Sequence, residues 1–221
     1  MKLVLSGCEY SGKTTLVAKI QKWISETLGG TLGVHDHFTI PDLAHRELTD
    51  EEVEQVLALS PALKEEFLRY IISYHLSPSF MSSPDHLIVG FHIEEAVYGP
   101  MYWEYGRKGE YSERSMLARY TEKELLAAAP DTVLVLLKAS PDVIRRRMNE
   151  SPHRRQIMKD EDDERSLELF DEQFTDTLIR SKFEIDTSSA TMDETLAEFV
   201  RGILPMLTDA DRLRMLTKAT S

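Results

Sequence analysis

Near the start of the chain stands Gly7-Cys8-Glu9-Tyr10-Ser11-Gly12-Lys13-Thr14, a complete G-x-x-x-x-G-K-[ST] run. Before it lies the short apolar stretch Lys2-Leu3-Val4-Leu5-Ser6, and after it Thr15 to Ile24 carries apolar residues at helical spacing. Strand, glycine loop and helix in that order describe a phosphate-binding loop. Its glycines let backbone N–H groups turn inward around an anion, and the helix opening at Lys13 adds the positive end of its dipole. Gly7, Cys8, Glu9, Tyr10, Ser11, Gly12, Lys13, Thr14 and Thr15 are therefore expected to line a nucleotide. Lys13 would reach its β- and γ-phosphates, and the Thr14 hydroxyl would hold Mg²⁺.

A net charge of −12, from 26 basic and 38 acidic residues, disfavours a nucleic-acid partner but not a small phosphorylated ligand. The one cysteine, Cys8, excludes an internal disulfide, as expected of a reducing compartment. The run before Cys8 is too short for a signal peptide, and no later segment reaches the roughly 18 apolar residues of a membrane span. A cytoplasmic protein with no membrane partner is the expectation.

Along the chain, strands alternate with helices, which implies a parallel sheet. The first helix should stop at Gly29-Gly30, and Thr31 to His35 reads as a second strand closing at Asp36. Asp36 would then lie at a carboxyl edge beside the phosphate loop, where ligands of open α/β sheets collect. Thr49-Asp50-Glu51-Glu52 is a capping box, and Pro61 to about Leu76 is amphipathic. His86 to Phe91 reads as a third strand, Ser112 as the cap of a helix to about Ala129, and Thr132 to Leu137 as a fourth strand. Five arginines then fall within eleven residues, from Arg145 to Arg155. Leu167, Phe170, Phe174, Leu178 and Ile179 are expected to form the buried face of the next helix. Phe183 to Asp186 should be a fifth strand, and Thr191-Met192-Asp193-Glu194 a second capping box.

This order of motifs resembles the P-loop kinases of nucleosides and nucleotides, most closely the thymidylate kinase and deoxynucleoside kinase group, over most of the chain. The phosphate loop is its strongest element. The others are His92-Ile93-Glu94-Glu95-Ala96-Val97-Tyr98-Gly99 after the third strand, Arg145-x-Arg147-x-x-Glu150 after the fourth, and Ile185-Asp186-Thr187-Ser188 before the last helix. The resemblance implies an α/β P-loop NTPase three-layer sandwich with a five-stranded parallel sheet and helices on both faces. It implies one domain over residues 1–221, an acceptor-binding helical region at about 38–119 and an arginine lid at about 145–155. It also implies ATP and Mg²⁺ as cofactors, with Asp186, Thr187 and Ser188 around the adenine, and leaves room for a homodimer. Where the family keeps an Asp-Arg pair, this chain has Val89-Gly90.

Phosphoryl transfer needs positioning, charge neutralisation and a carboxylate that orients the acceptor hydroxyl or holds Mg²⁺. Lys13, Arg145 and Arg147 are the candidate cations. Asp36, Glu94 and Glu95 are the candidate carboxylates, and Asp36 is also a candidate metal ligand with Thr14. Tyr98, Tyr102 and Tyr105 either stack on a planar acceptor base or pack the core. The acceptor is read as a nucleoside or nucleoside monophosphate. The alternatives are another small hydroxyl-bearing metabolite and a nucleotide-binding module without catalysis.

Overall fold

Leu3, Val4 and Leu5 point to alternate faces of strand β1 (Lys2–Ser6), and all three are buried, so this strand is covered on both sides. It is the middle of the sheet. In the computed structural model, which describes residues 1–35, 48–153 and 156–220, β1 pairs in parallel with β3 (His86–Val89) and with β4 (Val133–Lys138). Outside these lie β2 (Gly33–His35), paired with β3, and β5 (Lys182–Asp186), paired with β4. The order is β2-β3-β1-β4-β5, and every pairing is parallel.

The pleat sorts the core into two apolar layers. On one face Leu3, Leu5, Leu87, Val89, Val135 and Leu137 pack against Leu16, Ile20 and Ile24 of helix α1 (Lys13–Thr27) and against Phe199 and Ile203 of a later helix, Met192–Ile203. On the other face Val4, Ile88, Leu134 and Leu136 meet a thicker helical layer. Its members include Leu68 and Ile71 from a helix at Pro61–His75, and Ile93, Val97 and Tyr98 from one at Phe91–Tyr102. Leu125, Ile144 and Phe170 come from helices at Arg114–Ala128, Pro141–Glu150 and Asp163–Asp176. In chain order the remaining helices are α2 (Asp50–Leu57), α3 (Pro61–His75), α4 (Pro78–Met81), α5 (Phe91–Tyr102), α6 (Arg114–Ala128), α7 (Pro141–Glu150), α8 (Asp163–Asp176), α9 (Met192–Ile203) and α10 (Asp209–Ala219). The result is the expected three-layer α/β sandwich. No helix among the described residues is long and apolar enough to cross a membrane.

Local signals account for most boundaries. Gly29 and Gly30 have φ of 70° and 91° just past the end of α1, a left-handed exit that favours glycine. Both capping boxes form, Thr49 with Glu52 at α2 and Thr191 with Glu194 at α9. Two expectations need correction. The cap of α6 is Glu113 rather than Ser112, because the chain folds back there so that the Arg114 N–H reaches Gly106 O at 3.0 Å. Helix α8 ends at Asp176, where Thr177 turns extended and donates its hydroxyl to Glu122, so Ile179 is buried beyond the helix while Leu178 is exposed.

The start of β3 carries a pH-dependent contribution to stability. His86 is 1% exposed, and burial, with Lys2 nearby, pushes its imidazole down from 6.5 to about 4. The fold thus holds His86 neutral, and the unfolded chain takes up the proton first as pH falls. The sign is therefore that stability is full above about pH 6.5 and declines as pH drops toward 4, by about 3 kcal/mol for this group at 1.36 kcal/mol per tenfold. Urea unfolding should show the advantage of wild type over His86→Leu shrinking by that amount between pH 7 and 4. A pH-independent difference between the two proteins would rule this out.

Candidate functional site

The phosphate loop joins the end of β1 to α1, and of its two glycines Gly7 is fixed by space as well as by conformation, Gly12 by conformation alone. At Gly7, with φ of 147°, a Cβ would lie 2.5 Å from Leu137 O and 2.8 Å from Ser11 Oγ. Gly12, with φ of 98°, caps α1 without a side chain. The first turn of α1 therefore opens with no side-chain cap on its N–H groups, and Thr14 and Thr15 in it are exposed. Ser11 Oγ is buried there without a hydrogen-bond partner among the described residues. Open N–H groups at the start of a helix are the kind of site that suits an anion. Cys8 is a bystander in it, since burial pushes its thiol up to about 12 and keeps it protonated.

Lys13 folds across the loop. Its ammonium donates to Gly7 O and to Cys8 O, the latter at 3.1 Å, and forms an ion pair with Glu94 Oε1 at 3.1 Å. Burial by itself lowers the pKa of Lys13, but the Glu94 carboxylate and its neighbours outweigh it and the net direction is upward. Lys13 is a fixed cation.

Glu94 reaches this position because of Gly90. A Cβ at Gly90, whose φ is 74°, would stand 1.8 Å from Glu94 Oε2. The Val89-Gly90 pair, where the family resemblance calls for Asp-Arg, thus leaves the space that the Glu94 carboxylate fills from the first turn of α5. Glu95, one residue on, faces the other way. It is 1% exposed, accepts from the Tyr105 hydroxyl at 2.8 Å and lies 3.5 Å from the buried Arg114 guanidinium.

The two arginines also diverge. Arg147 Nη1 donates to Tyr10 O at 2.8 Å and to Thr187 Oγ1 at 3.1 Å, and its Nη2 donates to Thr187 O at 2.7 Å. Arg145 points outward to Asp142 at 3.0 Å and Asp163 at 2.8 Å. Thr187 is fully buried and donates to Ser11 O, so it ties the loop after β5 to the phosphate loop. Asp186 Oδ1 accepts from the Ser188 N–H at 2.8 Å, which shapes that loop. Asp36, His37, Arg154 and Arg155 lie outside the described residues.

A cavity of about 540 Å³ opens on these groups. Gly12, Lys13, Thr14, Thr15, Arg147 and Met192 line it together with Val53, Leu57, Glu94, Tyr98, Trp103 and Ile157. Of the two readings for the tyrosines, core packing is the one seen: Tyr98 and Tyr105 are buried in the core cluster and Tyr102 packs against it, with the Tyr98 and Tyr102 rings 5.6 Å apart. Tyr98 accepts the Glu9 N–H at 2.9 Å, Tyr102 donates to Asp162 at 3.0 Å, and Tyr105 lies past the helix end and turns to Glu95. Trp103, which the helical spacing passes over, lines the cavity instead. Val53 and Leu57 also went unread, because a short helix after a loop gives no local sign of what it faces. No cluster of three or more His, Cys, Asp or Glu side chains that could hold a metal occurs among the described residues.

No protein-family model and no curated protein matches the chain. Solved structures do. The YorR protein of Bacillus subtilis, in complex with phosphorylated GDP, is similar at 17% identity and a TM-score of 0.57, over 94% of this chain and 99% of that one. Deoxyadenosine kinase from M. mycoides with bound dATP is similar at 12% identity and a TM-score of 0.54, over 92% and 99%. Thymidylate kinase from Ehrlichia chaffeensis is similar at 16% identity and a TM-score of 0.55, over 91% and 97%. With its five parallel strands, its two helical layers and a phosphate loop at the end of β1, the chain has the P-loop α/β fold that these nucleoside and nucleotide kinases share.

Proposed function

We propose that the protein is an ATP-dependent phosphotransferase that moves the γ-phosphoryl group to a nucleoside or nucleoside monophosphate. The observation that carries this reading is the 3.1 Å pair of Lys13 and Glu94 on the wall of one cavity, a phosphate-loop cation beside a carboxylate from the helix after β3. The loop suits a triphosphate, since Gly7 and Gly12 take the positive φ that its turn requires and α1 opens without a side-chain cap on its first-turn N–H groups. The Thr14 hydroxyl would hold Mg²⁺, which would supply charge neutralisation on the phosphates.

In this mechanism Glu94 accepts a hydrogen bond from the acceptor hydroxyl and orients its oxygen toward the phosphate side. Lys13 then exchanges its contacts with Gly7 O, Cys8 O and Glu94 for the transferring group and neutralises charge that builds there. Arg147, anchored on Tyr10 O and Thr187 O, presents a second cation from α7. Asp186, Thr187 and Ser188 form the loop assigned to the adenine, the helical region at about 38–119 serves the acceptor, and Asp36 is a second carboxylate for metal or acceptor. Transfer to a different small hydroxyl-bearing metabolite is a second reading, favoured by Gly90 standing where the resembling kinases keep an arginine.

A thermal-shift screen of nucleosides, nucleoside monophosphates and hydroxylated metabolites, each with Mg²⁺ and a non-hydrolysable ATP analogue, tests the assignment. A ligand at a hundred times its Kd stabilises by about 2.7 kcal/mol, a shift of several degrees. The ATP analogue should raise the midpoint, and a nucleoside or its monophosphate should raise it further. No response to any nucleotide would overturn the assignment, and a response confined to metabolites would favour the second reading.

A further inference from the structure

Two side chains of the phosphate loop reach the segment after α7. Glu9 Oε2 accepts from the Ile157 N–H at 2.9 Å and from the Met158 N–H at 2.6 Å. The Tyr10 hydroxyl accepts from the His153 N–H at 2.8 Å and donates to Gln156 Oε1 at 2.8 Å. The Tyr10 and His153 rings stack with centroids 4.0 Å apart at 18°, and His153 Nδ1 lies 3.7 Å from Glu9 Oε1. Gln156 extends the network, donating to Met158 O at 2.7 Å and Asp160 Oδ1 at 2.9 Å. Residues 153 and 156–158 are therefore held by the phosphate loop through six direct polar and ring contacts.

The backbone underneath agrees. Tyr10 has φ of 63°, a left-handed conformation that a bulky side chain adopts only when its surroundings hold it. Its carbonyl accepts from Arg147, and the Glu9 N–H is held by the Tyr98 hydroxyl. The peptides from Cys8 to Ser11 thus cannot shift around a phosphate without moving the Glu9 carboxylate and the Tyr10 ring. Those in turn carry Ile157 and His153, which line the cavity, while Met158 is fully buried beneath them.

We propose that Glu9 and Tyr10 are positioning residues that fasten residues 153 and 156–158 to the phosphate loop, so that nucleotide binding at the loop and placement of the cavity wall at Ile157 are one coupled event. Binding of one substrate then prepares the site for the other, with coupling carried by the charge-assisted bonds of Glu9. The coupling rests on the nucleotide-binding reading, whereas the fastening does not.

Amide hydrogen exchange at Ile157 and Met158 tests both parts, in wild type, Glu9→Ala, Glu9→Gln and Tyr10→Phe, without nucleotide and with saturating MgADP. In wild type both amides should be protected and MgADP should slow them further. Glu9→Ala should speed their exchange about tenfold and abolish the response to MgADP, while Glu9→Gln, which keeps an acceptor without the charge, should recover part of both. Tyr10→Phe keeps the stack and loses the hydroxyl, and should weaken protection less than Glu9→Ala. Exchange in Glu9→Ala within twofold of wild type would overturn the fastening, and so would the same outcome in Glu9→Gln where the alanine variant does not fold. An equal response to MgADP in wild type and Glu9→Ala would overturn the coupling. Calorimetry separates the two ideas: MgADP binding without any change in exchange refutes the coupling and leaves the proposed function standing, while absence of MgADP binding refutes that function and the coupling together.

Discussion

Replacing Lys13 by alanine is expected to lower phosphoryl transfer by about a thousandfold while leaving the sheet and both apolar layers intact. In the proposed mechanism Lys13 is the cation that meets the phosphate chain, and preorganised donors of this kind contribute roughly 10²–10³ each when they stabilise charge that develops in the transition state. The contacts of the ammonium are with Gly7 O, Cys8 O and Glu94 in the loop and at the start of α5, not with the sheet, so the protein should still fold. It does leave Glu94, a partly buried carboxylate, without its cation, and a loss of about 1–2 kcal/mol in thermal stability should accompany the loss of activity. A coupled assay for ADP formation and a melting curve read both effects. Turnover within about tenfold of wild type in the folded variant would remove Lys13 from the mechanism.

Glu94→Gln should produce the second largest effect. Glutamine keeps the shape and can still accept a hydrogen bond, but the charge that orients the acceptor hydroxyl and draws its proton is lost. A fall of about 10²–10⁴ in kcat is expected, with MgADP affinity changed only a few-fold. Glu95→Gln is the internal comparison. Its carboxylate is enclosed with Tyr105 and Arg114, so its removal should lower the melting temperature and spare turnover in whatever fraction remains folded. If Asp36→Asn loses transfer and Glu94→Gln does not, the catalytic carboxylate belongs to the edge after β2 and the acceptor is better sought among small metabolites. Should none of the three lose more than about tenfold, or 1.4 kcal/mol of transition-state stabilisation, the protein is better described as a nucleotide-binding module.

The contrast between Glu94 and Glu95 shows what a sequence of this kind discloses. Continuous apolar runs such as Leu134-Val135-Leu136-Leu137 declare buried parallel strands, because both faces of such a strand must be covered. The capping boxes at Thr49 and Thr191 declare helix starts, because their hydrogen bonds close within four residues. These are local interactions, and local signals found them. Which of two adjacent glutamates enters a cavity is decided by rotation about α5 and by the space left at Gly90, neither of which has a signature in composition or period. The same holds for Tyr105, whose spacing from Tyr98 fits a helix that in fact ends at Tyr102. Glu9 and Tyr10 were legible only as variable positions of a motif, since their partners lie about 150 residues away along the chain.

The central place of β1 has a consequence for how the molecule comes into being. Its two edges are completed by residues 86–89 on one side and 133–136 on the other, and the wall against which Gly7 packs is Leu137. The phosphate loop therefore cannot take up its shape until residues 86–89 and 133–136, both distant along the chain, have paired with β1. Contacts of such long range are the slow ones to form, because loop closure must precede any gain from pairing. A chain that holds this loop in shape is thus one whose sheet has already closed.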